Sequence, residues 1–202
     1  MALGRLVRTP LNAVIAGVIA ASFLIGTLAL MIENRAAILR DGKEIVLRVE
    51  PVDPRDLMRG DYVRLAYGGG VSLVDDKLVV GDWPAENTVS PVWLVLAAGD
   101  DGLFTTRSIH FSRPGQLEIG EVVLKSKPAR IWVAKPPDNL NEIARLSFGI
   151  ERYYVPEGEG LEIEKARNEG RTTVAIRVSD RGEPQIARLM IDGETLYKEP
   201  LY

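Results

Sequence analysis

Hydrophobic positions divide the chain into one long apolar segment near the N-terminus and a series of short alternating segments behind it. The long segment, residues 11–32, contains 22 residues without a charge. As a helix it would be about 33 Å long, which is enough to cross the roughly 30 Å hydrocarbon core of a bilayer. The pattern therefore predicts one membrane-spanning helix.

Two interpretations of this segment are a retained anchor and a cleaved signal peptide. A signal peptide has an apolar region of about 7–15 residues followed by a small-residue cleavage site. The segment here is longer and ends in Leu-Met-Ile rather than in an A-x-A pattern. We therefore predict a retained single-pass anchor at residues 11–32, with residues 1–10 as the N-terminus before it and residues 33–202 as one domain after it.

The orientation of this anchor is predicted from the length of the domain that follows it. Lys and Arg favour the cytoplasmic side of a membrane, but long domains cross largely regardless of their charge. Both flanks of the segment carry Lys or Arg. We expect the N-terminus inside and the domain outside, which in a bacterium means an inner-membrane protein with a periplasmic domain.

Behind the anchor, apolar and polar residues alternate in short segments that are typical of half-buried β-strands. In residues 44–50, for example, Ile45, Leu47 and Val49 share one face. Turn sequences such as GGG, GDDG, RPGQ and KPPDN separate the segments. A polar loop between residues 172–179 and 186–192 predicts an antiparallel hairpin. The other predicted strands are residues 62–67, 91–98, 103–111, 121–125 and 129–135.

One short helix is predicted among these strands, at residues 157–170. It has Glu at its start and Lys and Arg near its end, which matches the helix dipole, and Gly170 suits the position just after a helix end. Few of its residues are apolar, which indicates a surface helix. The predicted fold is mainly β: an antiparallel, barrel-like domain with one or two short helices behind a transmembrane helix.

Composition and charge exclude several classes of function. The chain has no Cys, which excludes disulfides, thiolate metal sites and Cys nucleophiles. Its one His, His110, excludes a zinc site built on several histidines. Residues 33–202 carry 28 acidic and 23 basic side chains, a net charge of −5, which does not favour nucleic acid. We predict no nucleic-acid partner, no cofactor and no metal.

The most densely charged stretch is DPRDLMRGDYVRLAY, residues 53–67. Asp53 and Pro54 suit the start of a helical turn. Gly60 suits its end, and Asp61 can accept hydrogen bonds from nearby backbone as the chain enters a strand. These residues are therefore explained by local structure.

The strand that follows should have two different faces. Alternation places Val63, Leu65 and Tyr67 on one face. Tyr62, Arg64 and Ala66 share the other. Turn formation does not require the arginines of this stretch, so we consider it a candidate contact surface for a ligand or partner. The candidate binding residues here are Arg55, Arg59, Asp61, Tyr62, Arg64 and Tyr67.

A second charged and aromatic segment follows at residues 148–166. Glu151, Arg152 and Tyr153 are its candidate binding residues. If this segment lies beside residues 62–67, Glu151 could instead pair with an arginine of the first stretch. That arrangement would favour a structural role for these charges, and both interpretations stay open.

Three blocks of sequence, in order along the chain, resemble a known family. Residues 60–67, GDYVRLAY, fit every fixed position of the motif that names the GDYXXLXY protein family. Residues 148–166 and 191–202 resemble its downstream signature and its C-terminal end. The resemblance implies a bacterial, membrane-anchored extracytoplasmic domain without an assigned activity. By analogy alone it implies a polytopic membrane protein as a partner.

The sequence contains no recognisable catalytic set. Ser108, His110 and Ser112 would share one face of a strand, but no acid is specified to orient the histidine. Acidic residues are numerous, so a carboxylate pair has no distinguishing spacing. We therefore predict a non-enzymatic binding or accessory module for a membrane partner. The alternative is a membrane-tethered hydrolase with a carboxylate or Ser/His site.

Overall fold

The structure, a computed structural model, describes residues 10–51, 62–73, 75–133, 142–156 and 158–200. The chain forms two compact units, Met1–Ala37 and Ile38–Tyr202. The first α-helix, α1, spans Pro10–Asp41. Its side chains are exposed from Ala13 to Arg35, and it is long and apolar enough to span a membrane.

The second unit is mainly β, as predicted. Its described residues include one further α-helix, α2 (Gly160–Asn168), and a short 3₁₀ helix at Asp76–Leu78. The strands are β1 (Lys43–Glu50), β2 (Tyr62–Arg64), β3 (Ala66–Tyr67), β4 (Thr88–Ser90), β5 (Trp93–Ala98), β6 (Phe104–His110), β7 (Val122–Lys125), β8 (Ala129–Trp132), β9 (Glu142–Ile143), β10 (Arg152–Tyr154), β11 (Thr172–Val178), β12 (Pro184–Ile191) and β13 (Glu194–Lys198).

Within the described residues these strands form four sheets, and neighbouring strands in each sheet are antiparallel. The largest has the order β13-β12-β11-β1-β3, and the others are β10-β2, β4-β8-β9 and β6-β5-β7. None of these sheets closes on itself within the described residues, so the predicted term "barrel-like" describes the domain only loosely. The predicted hairpin is confirmed, because β11 pairs with β12.

The core lies on the inner face of the five-stranded sheet. On β1, Ile45, Leu47 and Val49 are each at most 1% exposed, and Ile176 and Val174 lie opposite the first two on β11. Burying such side chains stabilises the fold by about 1.5–3 kcal/mol each. Strict alternation over eight residues therefore fixes which face of β1 turns inward.

The predicted strand at residues 62–67 divides at Leu65 into two strands that join different sheets. β3 pairs with β1, where Tyr67 lies opposite Val49, and β2 pairs with β10. The backbone N–H of Leu65 donates to the Glu151 carbonyl. The GDYXXLXY stretch thus connects the large sheet to the β2–β10 pair.

Helix α2 is shorter than predicted and more deeply packed. Ile163, Ala166 and Arg167 are buried, whereas Leu161 is 75% exposed. Gly170 lies just after the helix end, as predicted, with a φ of 73°. The N–H of Gly170 donates to the Arg167 carbonyl. A second bond runs from the next N–H to the Ala166 carbonyl, which completes a Schellman motif.

Candidate functional site

The β2–β10 pair has one buried face and one exposed face. The register places Tyr153 opposite Val63, and these two side chains are 7% and 0% exposed. Arg152 lies opposite Arg64, and Tyr154 opposite Tyr62. Because directly opposite residues share a face, these four side chains form one surface, which we call the outer face: Tyr62, Arg64, Arg152 and Tyr154.

Aromatic rings and a guanidinium contact one another on the outer face. The rings of Tyr62 and Tyr154 have centroids 6.0 Å apart, and the Arg152 guanidinium lies 5.5 Å from the centroid of Tyr62. Tyr154 is nevertheless 75% exposed. An aromatic ring this exposed contributes little to the core, although it is preorganised by its neighbours.

The arginines of the outer face have no acidic partner among the described residues. Arg64 and Arg152 are both exposed, and every ion pair between described residues lies elsewhere in the domain. Like charges directly opposite each other destabilise an antiparallel pair. The sequence leaves open whether the two segments are neighbours, and the β2–β10 pairing shows that they are. No ion pair between Glu151 and an arginine is seen in the described part of the chain.

Glu151 instead holds the loop that leads into β10. Its carboxylate accepts hydrogen bonds from the backbone N–H groups of Phe148 and Gly149, the latter at 3.0 and 3.2 Å. The hydroxyl of Tyr67 donates to the Ile150 carbonyl in the same loop. Burial, and secondarily the nearby Glu151 charge, raise the pKa of Tyr67 well above its usual value.

Several sequence-predicted residues lie away from the outer face. Tyr67 is 1% exposed and Tyr153 7% exposed, so both belong to the core. Burial and a hydrogen bond to the Glu199 carboxylate raise the pKa of Tyr153. Arg55, Arg59 and Asp61 lie outside the described residues. The outer face retains Tyr62, Arg64 and Arg152 from the prediction and adds Tyr154.

A buried arginine supports the outer face from behind. Arg167 of α2 is 1% exposed, and its guanidinium donates to the Arg64 carbonyl at 2.8 Å and to the Asn168 side chain. Burial lowers the pKa of Arg167, which the Glu164 charge partly opposes. The bond to Arg64 attaches helix α2 to the backbone of β2.

A cleft of about 530 Å³ opens beside the outer face. Arg64 and Arg152 line it together with two residues that the sequence did not single out, Lys127 and Arg145. Lys127 precedes β8, and Arg145 follows β9. Neither segment has a motif that predicts a site, so only the folded chain reveals that these four cations share one cleft. Leu146, Ser147, Gly149 and Glu151 complete its lining.

The Ser and His of β6 lie together as predicted. The Ser108 hydroxyl and the His110 Nε2 are 2.9 Å apart. Such a bond is the first requirement of a Ser/His nucleophile, which also needs a group to orient the histidine. No carboxylate of the described residues is hydrogen-bonded to His110, and the described residues contain no cluster of three or more metal-ligating side chains.

Comparison with known proteins identifies the family. No curated protein and no solved structure matches the chain. A family model, described as GDYXXLXY protein, matches residues 24–189. The match covers most of the chain and includes both strands of the outer face. On this basis, the chain belongs to the GDYXXLXY protein family.

Proposed function

We propose that this protein is a membrane-anchored binding module whose outer face contacts a membrane protein. Helix α1 would be its single-pass anchor, with the N-terminus in the cytoplasm and the β domain in the periplasm. The length and apolar surface of α1 support the anchor, and the family resemblance supports the bacterial setting. The domain would act by association rather than by catalysis.

The observation that carries this proposal is the outer face itself. Tyr and Arg are enriched among the residues that dominate protein–protein binding energy, and here two of each lie on one exposed surface. Tyr154 is 75% exposed, and neither arginine is paired with an acid of the described residues. Exposed side chains of this kind contribute little to the stability of an isolated domain, whereas they would contribute to the affinity for a partner.

The test is recovery of a partner from native membranes in mild detergent with tagged full-length protein. The variant Tyr62→Ala/Tyr154→Ala removes the aromatic rings from the outer face. The matched control is Leu161→Ala on α2, because Leu161 and Tyr154 are equally exposed, at 75% each. Melting curves establish that both variants fold before recovery is compared.

We expect one membrane protein to be recovered with the wild type and with Leu161→Ala, and at least about tenfold less with the double variant. Equal recovery by all three proteins would contradict the outer face as the contact surface. Recovery of nothing by the wild type would contradict the accessory role.

The alternative function, a membrane-tethered hydrolase, is favoured by one observation, the bond between Ser108 and His110. A serine-reactive fluorophosphonate should label such an enzyme at Ser108. Labelling that is lost in Ser108→Ala and kept in Ser112→Ala would establish the hydrolase. The binding module predicts no labelling of any of the three proteins.

A further inference from the structure

The cleft beside the outer face concentrates positive charge in an acidic domain. Four cationic side chains line it, those of Arg64, Lys127, Arg145 and Arg152, against one carboxylate, that of Glu151. Residues 33–202 as a whole carry a net charge of −5. The local excess of cations therefore runs against the composition of the domain.

The one carboxylate of the cleft is already occupied by backbone. Glu151 accepts from the N–H groups of Phe148 and Gly149. In the described part of the chain, none of the four cations lies within ion-pair distance of an acid. The positive charge of the cleft is thus opposed only by the nearby Glu151 charge, and by no ion pair that the structure describes.

The cleft also has a defined shape on the side of Lys127. Gly149 has a φ of 84°, and a Cβ at this position would lie 2.9 Å from Lys127 Cε and 3.0 Å from its Nζ. The lysine side chain therefore lies directly over the glycine. Residues from β2, β10 and two further segments converge on a space of about 530 Å³, a volume within the usual range for ligand pockets.

We propose that this cleft binds a phosphoryl group. Arginine presents a planar set of donors that matches phosphate oxygens bidentately, and lysine adds a point charge. A phosphoryl group carries up to about two negative charges and three acceptor oxygens. The cleft offers three arginines and a lysine against the single carboxylate of Glu151. This excess of positive charge suits a dianionic phosphoryl ligand better than a carboxylate ligand, which has one charge and two oxygens.

This ligand site goes beyond the proposed contact with a membrane protein, although Arg64 and Arg152 belong to both surfaces. Lys127 and Arg145 line the cleft but are not part of the outer face. The double variant Lys127→Gln/Arg145→Gln therefore tests the phosphoryl site alone. Conversely, the tyrosine variant used for partner recovery leaves all four cations in place, so the two proposals can fail separately.

The experiment is a calorimetric titration of full-length protein with pyrophosphate and with inorganic phosphate. It is done in maltoside micelles, which contain no phosphate, at constant ionic strength. The matched control is Arg107→Gln, because Arg107 is an exposed arginine of β6 outside the cleft. Melting curves of all variants verify that they fold.

We expect saturable binding by the wild type and by Arg107→Gln, and at least about tenfold weaker binding by the Lys127→Gln/Arg145→Gln variant. Absence of saturable binding by the wild type would overturn the proposal. Equal weakening in Arg107→Gln would also overturn it, because the effect would then be one of net charge.

A second arm distinguishes a lipid headgroup from a free phosphate compound. The wild type is titrated with pyrophosphate after reconstitution into phosphatidylglycerol nanodiscs. Loss of the binding seen in micelles would identify lipid headgroups as the phosphoryl source. Retained binding would identify a soluble phosphorylated compound.

Discussion

Two pairs of arginines lie on sheet surfaces of this domain, and their surroundings differ. On the five-stranded sheet, Arg177 of β11 and Arg188 of β12 both donate to the carboxylate of Glu44 on β1. On the β2–β10 pair, Arg64 and Arg152 lie directly opposite each other, with no carboxylate of the described residues paired to either.

The difference contrasts a structural role with the binding role that we propose. One carboxylate shared by two arginines links three strands and is explained by the fold itself. Two opposed arginines without a counterion weaken the strand pair that carries them. The same residue type therefore serves the fold in the first sheet, and in the second it is better explained by a ligand that supplies the negative charge.

The largest expected effect contrasts the two faces of the β2–β10 pair. Tyr153→Ala removes a ring that packs in the core near Tyr197, with centroids 6.1 Å apart, and should lower the free energy of unfolding by about 3–5 kcal/mol. Tyr154→Ala on the outer face should lower it by about 0.5 kcal/mol or less. Urea unfolding measures both, and similar losses would show that the outer face is structural.

The next effect concerns the link between the two sheets. Tyr67→Phe leaves the Ile150 carbonyl without its hydroxyl donor and should lower the free energy of unfolding by about 1–3 kcal/mol at neutral pH. This loss should leave the melting behaviour cooperative, because the ring itself stays in the core.

The same variant should change the alkaline stability of the protein. The raised pKa of Tyr67 means that the folded state holds this phenolic proton more tightly than the unfolded state. Its contribution to stability is complete below about pH 10 and decreases as the pH rises above that value. Between about pH 9 and about pH 11, the free energy of unfolding, measured with urea, should decrease less for Tyr67→Phe than for the wild type. An identical decrease in both proteins would contradict a raised pKa of Tyr67.

A smaller and two-sided effect is expected at Glu151. Glu151→Gln replaces the carboxylate that accepts from Phe148 and Gly149 with a neutral amide and should destabilise the domain by about 1 kcal/mol. It also removes the negative charge from the cleft, so pyrophosphate should bind more tightly. Urea unfolding measures the change in stability, and calorimetric titration of the same sample measures the change in pyrophosphate affinity. Weaker pyrophosphate binding by the variant would contradict the view that the Glu151 charge opposes anion binding in the cleft.

The smallest effect tests the comparison of the two arginine pairs directly. Glu44→Gln should cost up to about 1 kcal/mol, and less at high salt, because surface ion pairs are screened. Arg64→Gln should be neutral or stabilising by a few tenths of a kcal/mol at low salt, about the size of a cross-strand charge effect. The free energy of unfolding of the two variants, measured at low and at high salt, distinguishes these two effects. A loss of stability in Arg64→Gln at low salt would show that this arginine has a structural role.

Much of the fold follows from local patterns in the sequence. Strands β1, β11 and β12 are seven or eight residues long, which is enough for alternation to identify the buried face. Alternation also places Val63, Leu65 and Tyr67 on one face, and all three are buried, although the sequence predicts Tyr67 at a contact surface. The end of α2 could be predicted because glycine is favoured just after a helix, where the backbone adopts a positive φ. Gly170 has such a φ in the structure.

The remaining features depend on contacts between distant segments. β4, β9 and β10 have three residues or fewer, too few to show a period. Arg167 looks like a surface residue of a polar helix, and its burial arises from tertiary packing against β2. Lys127 and Arg145 come from separate connecting segments, and their place in one cleft is a property of the fold as a whole.

The buried guanidinium of Arg167 also satisfies a backbone carbonyl at the edge of β2 that faces away from β10. The Leu65 N–H donates to the carbonyl of Glu151, just before β10. Because hydrogen-bonded and non-hydrogen-bonded residues alternate in an antiparallel pair, the Arg64 carbonyl points away from β10. An exposed carbonyl there would be a template for strand addition by another chain. By donating to that carbonyl, Arg167 makes the bond that a neighbouring strand would otherwise make, so the β2 edge is a poorer template for strand addition than the proposed outer face is for recognition.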